Sequence, residues 1–136
     1  MLLKIDHIGI AVRSLEHSNE IFRRLLGKTH YKIETVETEK VATAFFQVGE
    51  SKIELLEATD PSSPIAQYIE KRGEGIHHIA FEVDDIRAAI AQLEQEGFVP
   101  LNREPRRGAD NKWVAFFHPK SCNGVLVELC QSIPVE

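Results

Sequence analysis

Two histidines and two glutamates lie at matching places in the two halves of this 136-residue sequence. The motif DHIGIAV around His7 is matched by the motif HHIAFEV around His78. Near the end of each half, Glu54 in the run IELL corresponds to Glu128 in the run VELC. Neutral imidazoles and carboxylates together bind divalent first-row metal ions. The four residues therefore predict a metal site with open positions for water or substrate, and its carboxylates could also take up a proton.

The alternation of side chains along β-strands places these four residues on one face. Successive side chains of a strand point to opposite faces. The apolar residues at positions 8, 10 and 12 leave His7 on the other face, and those at 79, 81 and 83 leave His78 there. Apolar neighbours on both sides do the same for Glu54 and Glu128. A carboxylate buried among apolar side chains is costly unless it is paired or metal-bound, so one shared metal site explains all four positions.

The other histidines and the two cysteines do not share this repeated placement. His17, His30 and His77 are predicted to be structural residues, and His118, directly before a proline, is predicted to end a strand. The cysteines lie farther apart in the chain than metal-binding cysteine pairs do, so they are given no ligand role.

The elements that must position the four residues follow a β-α-β-β-β order that occurs twice. The first helix is predicted to begin after Ser14 and to end at Gly27, and the second to begin after Asp84 or Asp85 and to end at Gly97. Apolar stripes are predicted at Leu15, Ile21, Phe22, Leu25 and Leu26 in the first helix, and at Ile86, Ala89, Ile90 and Leu93 in the second. The later strands are predicted at about 29–37, 41–48 and 52–58, and at about 98–102, 112–118 and 125–131.

These elements predict an α+β fold in which residues 1–136 form a single domain. The domain consists of two tandem βαβββ modules, about 1–60 and 74–136, joined by a short helical linker at 64–72. One module alone leaves a sheet face bare. The two modules are therefore predicted to pair around a shared metal-binding cavity.

The composition excludes several classes of protein and partner. With 43% hydrophobic and 27% charged residues, the chain is typical of a globular protein. A net charge of -5 argues against a nucleic-acid partner. No apolar run approaches the roughly 18 residues that span a bilayer, so no membrane partner is expected. Two cysteines without a signal-peptide pattern predict a reduced, cytoplasmic protein.

The doubled pattern resembles the vicinal oxygen chelate superfamily, which includes glyoxalase I, extradiol dioxygenases and the methylmalonyl-CoA epimerase family. The resemblance to the epimerase family covers nearly the whole chain. It is carried by IELLE at 53–57, by SPIA at 63–66 ahead of GIHHI at 75–79, and most specifically by HPKSCNGVLVEL at 118–129. Extradiol dioxygenases use a single carboxylate with two histidines, so they fit the four-residue set less well.

The resemblance implies that the chain interconverts the 2R and 2S epimers of methylmalonyl-CoA, an acyl-CoA substrate, by abstraction of the C2 proton and a metal-stabilised enolate. It implies a divalent ion, typically cobalt, with nickel, zinc or manganese as alternatives, and it favours a homodimer. It carries His7, Glu54, His78 and Glu128 over as the ligands. Some epimerases have a further carboxylate, acting as a base, where this sequence has Thr43.

Epimerisation requires a base on each side of the enolate plane. The hydroxyl of Thr43 is too weak a base for this role, so we predict that Glu54 and Glu128 are the two catalytic bases as well as ligands. Glyoxalase I is an alternative, because its set of two histidines and two glutamates also fits this face. The HPKSCNGVLVEL motif argues against it. A second alternative is a non-catalytic binding protein of the same fold, although such proteins usually lack the full metal set.

Overall fold

The computed structural model describes residues 2–134 and contains the β-α-β-β-β order twice. The first copy comprises β1 (Leu2–Ala11), α1 (Leu15–Leu26), β2 (Lys32–Val36), β3 (Val41–Val48) and β4 (Ser51–Ala58). The linking helix is α2 (Pro64–Arg72). The second copy comprises β5 (Gly75–Val83), α3 (Ile86–Gln95), β6 (Arg106–Gly108), β7 (Lys112–Phe117), a short 3-10 helix (Pro119–Ser121) and β8 (Val127–Ser132). The predicted order of elements is confirmed.

Residues 8–77 form one of two compact units of the chain. Its strands are hydrogen-bonded in the order β2-β3-β4-β1, and the pairs β2-β3 and β3-β4 are antiparallel. One core cluster packs against α1 and consists of Val12, Leu15, Ala44, Phe46 and Leu55. A second cluster lies against α2 and consists of Ala11, Leu56 and Ile65. The predicted alternation is thus confirmed in β1 and β4, since Ile10 and Leu55 pack in the cluster against α1.

The described residues of the other unit are 2–7 and 78–134, so the first part of β1 belongs with the second half of the chain. The strand order here is β1-β5-β8-β7-β6. Strands β5 and β8 are parallel, whereas β7 is antiparallel to both β8 and β6. The core cluster packs α3 onto the sheet and consists of Val83, Ile86, Ile90, Ala115, Phe117 and Leu129. This unit contains His7, His78 and Glu128.

Helix α1 begins and ends where the sequence predicts. The Ser14 side chain accepts a hydrogen bond from the His17 amide at the N-cap, and Gly27 ends the helix at a φ of 75°, a conformation that glycine adopts without steric cost. The predicted apolar stripe is partly wrong, because Ile21 and Leu25 are exposed whereas Phe22 packs into the core. Positions 21 and 25 share a helix face that is rotated by about 100° from the buried one. Within residues 2–134, none of the helices has the length and apolar character needed to cross a bilayer.

We expect the Ser14→Ala variant to unfold with a free energy lower by about 1 kcal/mol, because the first turn of α1 loses its side-chain acceptor. Urea unfolding followed by circular dichroism measures this difference. The matched control is Ser14→Thr, which keeps the hydroxyl acceptor. Equal stability of the alanine variant and the wild type would show that this cap does not stabilise the unit.

The strand predicted at 98–102 is wrong, and the strand β6 lies a few residues later, at Arg106–Gly108. The predicted segment is extended beside β7, with the Leu101 amide donating to the Phe116 carbonyl and the His118 amide donating to the Val99 carbonyl, each at 2.8 Å. Pro100 lies between these bonds and forms an isolated bridge with Phe117. These two bonds flank the Pro100–Phe117 pair, so Pro100 occupies a non-hydrogen-bonded position, and the pairing of this segment with β7 is limited to one bridge.

Candidate metal centre and active site

Three of the predicted ligands converge within one unit of the fold. His7 Nε2 lies 3.0 Å from His78 Nε2. Glu128 Oε1 lies 3.1 Å from His78 Nε2 and 3.5 Å from His7 Nε2. All three residues are buried. Three electron-rich atoms this close together repel one another unless a proton or a cation lies among them.

The spacing of these atoms fits a divalent metal ion. Two ligands that each lie about 2.1 Å from a shared ion, at right angles to one another, are about 3.0 Å apart. The distances between the two imidazole nitrogens and the carboxylate oxygen, 3.0, 3.1 and 3.5 Å, fall at or just above this value. Two imidazoles and one carboxylate also suit non-haem iron, cobalt, nickel, zinc and manganese in their divalent states. His7, His78 and Glu128 therefore form a candidate metal centre.

The strand register brings the second-half ligands together. Strands β5 and β8 run parallel, and Ala80 is the register partner of Glu128. His78 lies two residues before Ala80 and so shares its face. On the other side of β8, Phe116 is the register partner of Glu128, and its ring packs edge-on against the His78 imidazole at a centroid distance of 5.6 Å.

The Glu128 carboxyl group is ionised at neutral pH. Burial by itself raises its pKa, but the charge interactions and hydrogen bonds with His7 and His78 outweigh burial and lower the pKa to about 2. Both of its predicted roles, as a ligand and as a proton acceptor, require this ionised form.

Asp6 fixes the orientation of the His7 ring. The Nδ1 atom of His7 donates a hydrogen bond to Asp6 Oδ2 at 2.8 Å. An ionised carboxylate can only accept, so this bond places the imidazole proton on Nδ1. In the neutral ring Nε2 then carries the lone pair, and Nε2 is the atom that faces His78 and Glu128. A histidine whose other nitrogen binds a carboxylate is the common arrangement for a metal ligand.

Glu54 lies in the other unit, on β4, where it is 4% exposed. Its register partner on β3 is Phe45, and Thr43 is the register partner of Leu56. Register partners share a face and so do residues two apart along a strand, which places Thr43 and Glu54 on the same face of this sheet. Both side chains are buried. The role of Glu54 as a fourth ligand of the metal ion stays a prediction.

The histidines assigned structural roles make local contacts. The His77 ring packs edge-on against Tyr68 at a centroid distance of 4.9 Å, and the His30 ring packs against Phe46 at 5.8 Å. His118 follows β7 and caps the short 3-10 helix, its Nδ1 accepting a hydrogen bond from the Lys120 amide. The contacts of His118 are those of a residue at the end of a strand.

Asp6 and Lys112 are two residues near the site to which the sequence analysis assigned no role. Asp6 had a signal in the sequence, since it directly precedes His7. Lys112 had none, because it reaches Asp6, at 3.3 Å, only through the pairing of strands that are distant in the chain. The Cys130 thiol lies beside them. Its pKa is raised by burial and by the carboxylates of Asp6 and Glu128, so it remains protonated.

Comparisons with known proteins identify the family of this chain. The model of the glyoxalase/bleomycin resistance protein/dioxygenase superfamily matches residues 6–116. An ethylmalonyl-CoA/methylmalonyl-CoA epimerase of Cereibacter sphaeroides is 41% identical over 96% of this chain and 99% of its own length. The mitochondrial methylmalonyl-CoA epimerase of Homo sapiens is 38% identical over 95% of this chain and 74% of its own length. The chain belongs to the methylmalonyl-CoA epimerase family.

The fold of this family is also the fold of the chain. A solved structure of a methylmalonyl-CoA epimerase in complex with methylmalonyl-CoA and NH4+ has a TM-score of 0.94 and 39% sequence identity, over 100% of this chain and 99% of its own. The predicted α+β, vicinal oxygen chelate class is therefore confirmed. The resemblance carried by the HPKSCNGVLVEL motif is confirmed as well, and the comparisons favour the epimerase family over glyoxalase I.

Proposed function

We propose that this chain is a metal-dependent epimerase that interconverts (2R)- and (2S)-methylmalonyl-CoA. The convergence of His7, His78 and Glu128, in a chain that belongs to the methylmalonyl-CoA epimerase family, supports this proposal most strongly. The relatives at 36–41% identity and a solved complex with methylmalonyl-CoA support the same substrate class.

The reaction removes the C2 proton from one face of the substrate and returns a proton to the opposite face. A bound divalent ion would supply Lewis-acid stabilisation of the negative charge that develops on the thioester oxygen. His7, His78, Glu128 and Glu54 are the proposed ligands. Glu128 is also the proposed base on one face of C2, where its carboxylate would accept the proton. Glu54 is the proposed base on the opposite face.

Proton NMR of a single epimer in deuterated water, with cobalt-loaded protein, tests this function. We expect the C2 proton signal to disappear while the other epimer forms. An unchanged signal with cobalt bound would contradict the proposal. Glyoxalase activity, isomerisation of the hemithioacetal of methylglyoxal and glutathione, would then be measured next, because two histidines and two glutamates also suit that reaction.

We propose cobalt as the native ion, with nickel, zinc and manganese as alternatives. Removal of the ion with a chelator is expected to abolish turnover, and adding cobalt to restore it. Because the ion binds the folded chain, a free cobalt concentration about 100 times the dissociation constant is expected to raise the free energy of unfolding by about 2.7 kcal/mol. Urea unfolding with cobalt and with chelator measures the difference. Equal stability under both conditions would contradict a site formed by these residues.

The remaining proposals concern organisation and location. We propose that residues 1–136 form a single domain whose two βαβββ modules share the metal-binding cavity, that the chain is a cytoplasmic homodimer, and that neither nucleic acid nor membrane is a partner. One cooperative unfolding transition is expected for a single domain, and light scattering after gel filtration measures the oligomeric state. Two separate transitions would contradict the single-domain proposal, and a monomeric mass would contradict the homodimer.

A further inference from the structure

A buried chain of charged groups leads away from His7. Asp6 uses one carboxylate oxygen to accept from His7 Nδ1 at 2.8 Å and the other to contact Lys112 Nζ at 3.3 Å. The Lys112 ammonium also donates to Glu82 at 3.1 Å and to Ser132 at 3.0 Å. The Asp6 side chain is 3% exposed and the Lys112 side chain 11% exposed. Lys112 is thus a nearly buried cation that joins two carboxylates.

The Lys112 ammonium stabilises the buried, ionised form of Asp6. A buried carboxylate is strongly destabilised unless an opposite charge or several donors compensate it. Glu82 brings a second carboxylate to the same ammonium, so without Lys112 the two negative groups would lie together with that shared cation missing. Asp6 could then relieve the repulsion by taking up a proton or by leaving its position, and either change weakens the bond that it accepts from His7 Nδ1.

The position of Asp6 in turn determines what His7 presents to the metal centre. The hydrogen bond from Nδ1 leaves Nε2, the atom that lies 3.0 Å from His78 Nε2, as the nitrogen that can bind an ion through its lone pair. If that bond is lost, the ring can rotate or adopt the other tautomer, in which Nε2 carries a proton and cannot bind an ion.

We propose that Lys112 is a positioning residue of the metal centre: it holds Asp6 in place, and Asp6 keeps His7 in the orientation and tautomer that bind the ion through Nε2. This inference rests on the proposed metal-dependent function. The Lys112 ammonium contacts Asp6, Glu82 and Ser132, and its effect on His7 passes through Asp6.

The sign of the effect on metal affinity separates this role from the simple influence of a nearby positive charge. Removing a cation near a metal centre, with the ligands unchanged, tightens binding of a divalent ion through reduced repulsion. Removing a residue that orients a ligand weakens binding, and loss of such outer partners typically costs about 10- to 100-fold in metal affinity. The two explanations therefore predict opposite changes.

The test titrates metal-free protein with Co2+ and measures the dissociation constant from the cobalt absorption bands. We expect Lys112→Met to bind Co2+ about 10- to 100-fold more weakly than the wild type, and Lys112→Arg, which keeps the charge, to bind within a few-fold of it. Lys71→Met is the matched control, because it removes the same charge from an exposed position of α2. Circular dichroism compares the folding of all variants.

A second measurement uses the wild-type protein and does not depend on any variant folding. The nitrogen chemical shifts of His7 in metal-free, 15N-labelled protein show which ring nitrogen carries the proton. We expect Nδ1 to carry a proton, whether or not Nε2 does, and in folded Lys112→Met we expect a larger fraction of rings whose Nδ1 is unprotonated. An unprotonated Nδ1 in the wild type would overturn the proposal.

The remaining outcomes are equally decisive. Unchanged or tighter Co2+ binding by folded Lys112→Met, with unchanged His7 shifts, would overturn the proposal and reduce Lys112 to a structural ion pair. Failure of the wild type itself to bind Co2+ contradicts the proposed metal-dependent function, and the positioning role falls with it. A wild type that binds Co2+ and epimerises, beside a Lys112→Met variant that binds weakly, supports both.

Discussion

Glu128→Gln is expected to lower the turnover of cobalt-loaded enzyme by about 100- to 10,000-fold, the range typical for loss of a general base. The substitution preserves the shape of the side chain, but an amide cannot accept the C2 proton. It also replaces an ionised ligand by a neutral one beside His7 and His78. The loss of the base and the weaker ligand both lower turnover. The rate of C2 proton loss in deuterated water measures the change for each epimer separately.

The control for this variant is Glu70→Gln, the same substitution at an exposed position of α2. It is expected to leave turnover and metal content unchanged. Metal content is measured for both variants, so that the rate is expressed per bound cobalt. Near-wild-type turnover per cobalt in Glu128→Gln would remove Glu128 from the list of bases and leave it as a ligand only.

The three converging residues could be predicted because they depend on local rules. The alternation of apolar residues fixes the face of His78 on β5 and of Glu128 on β8, and the repeat in the sequence links His78 to His7. The structure places the three within 3.5 Å of one another. The face of each residue could be predicted without the tertiary structure, because in a strand a shift by one residue would turn its apolar neighbours away from the core.

The contacts around Lys112 could not be predicted, because they depend on register between distant strands. Lys112 is the register partner of Ser132, at the far end of β7 from Phe117 and its partner Val127. Nothing in the local pattern distinguishes this lysine from one on a solvated edge. Its ion pairs with Asp6 and Glu82 exist only once β1, β5, β7 and β8 lie in one sheet.

Two predictions based on hydrophobicity are wrong. The apolar residues at 98–102 predict a strand, whereas this segment forms only a single bridge with β7, at Pro100, and the regular pairing with β7 begins at Arg106. Leu25 and Ile21 were assigned to the helix stripe by composition, yet the buried face of α1 passes through Leu15 and Phe22. Hydrophobicity thus predicts helix α1 correctly but not all of its buried residues, and it places a strand several residues before β6.

Glu54→Gln is expected to separate proton exchange from epimerisation. If Glu54 and Glu128 act on opposite faces of C2, the variant retains one base. It should then exchange the C2 proton of one epimer with deuterated water while keeping its configuration. Exchange of the other epimer, and conversion between the two, should fall by about 100- to 10,000-fold. Proton NMR started from each pure epimer measures both processes, with Glu70→Gln as the control.

A carboxylate added at Thr43 provides the complementary test. Thr43 and Glu54 share a buried face of the first sheet, so in the double variant Thr43→Glu/Glu54→Gln a carboxylate returns to that face. Partial recovery of epimerisation, with cobalt content equal to that of Glu54→Gln, would mean that this face lacks only a base. Full turnover in the single variant Glu54→Gln, with a change in metal content alone, would instead make Glu54 a plain ligand. The second proton acceptor would then have to be sought outside the four repeated residues, because the Thr43 hydroxyl cannot supply it.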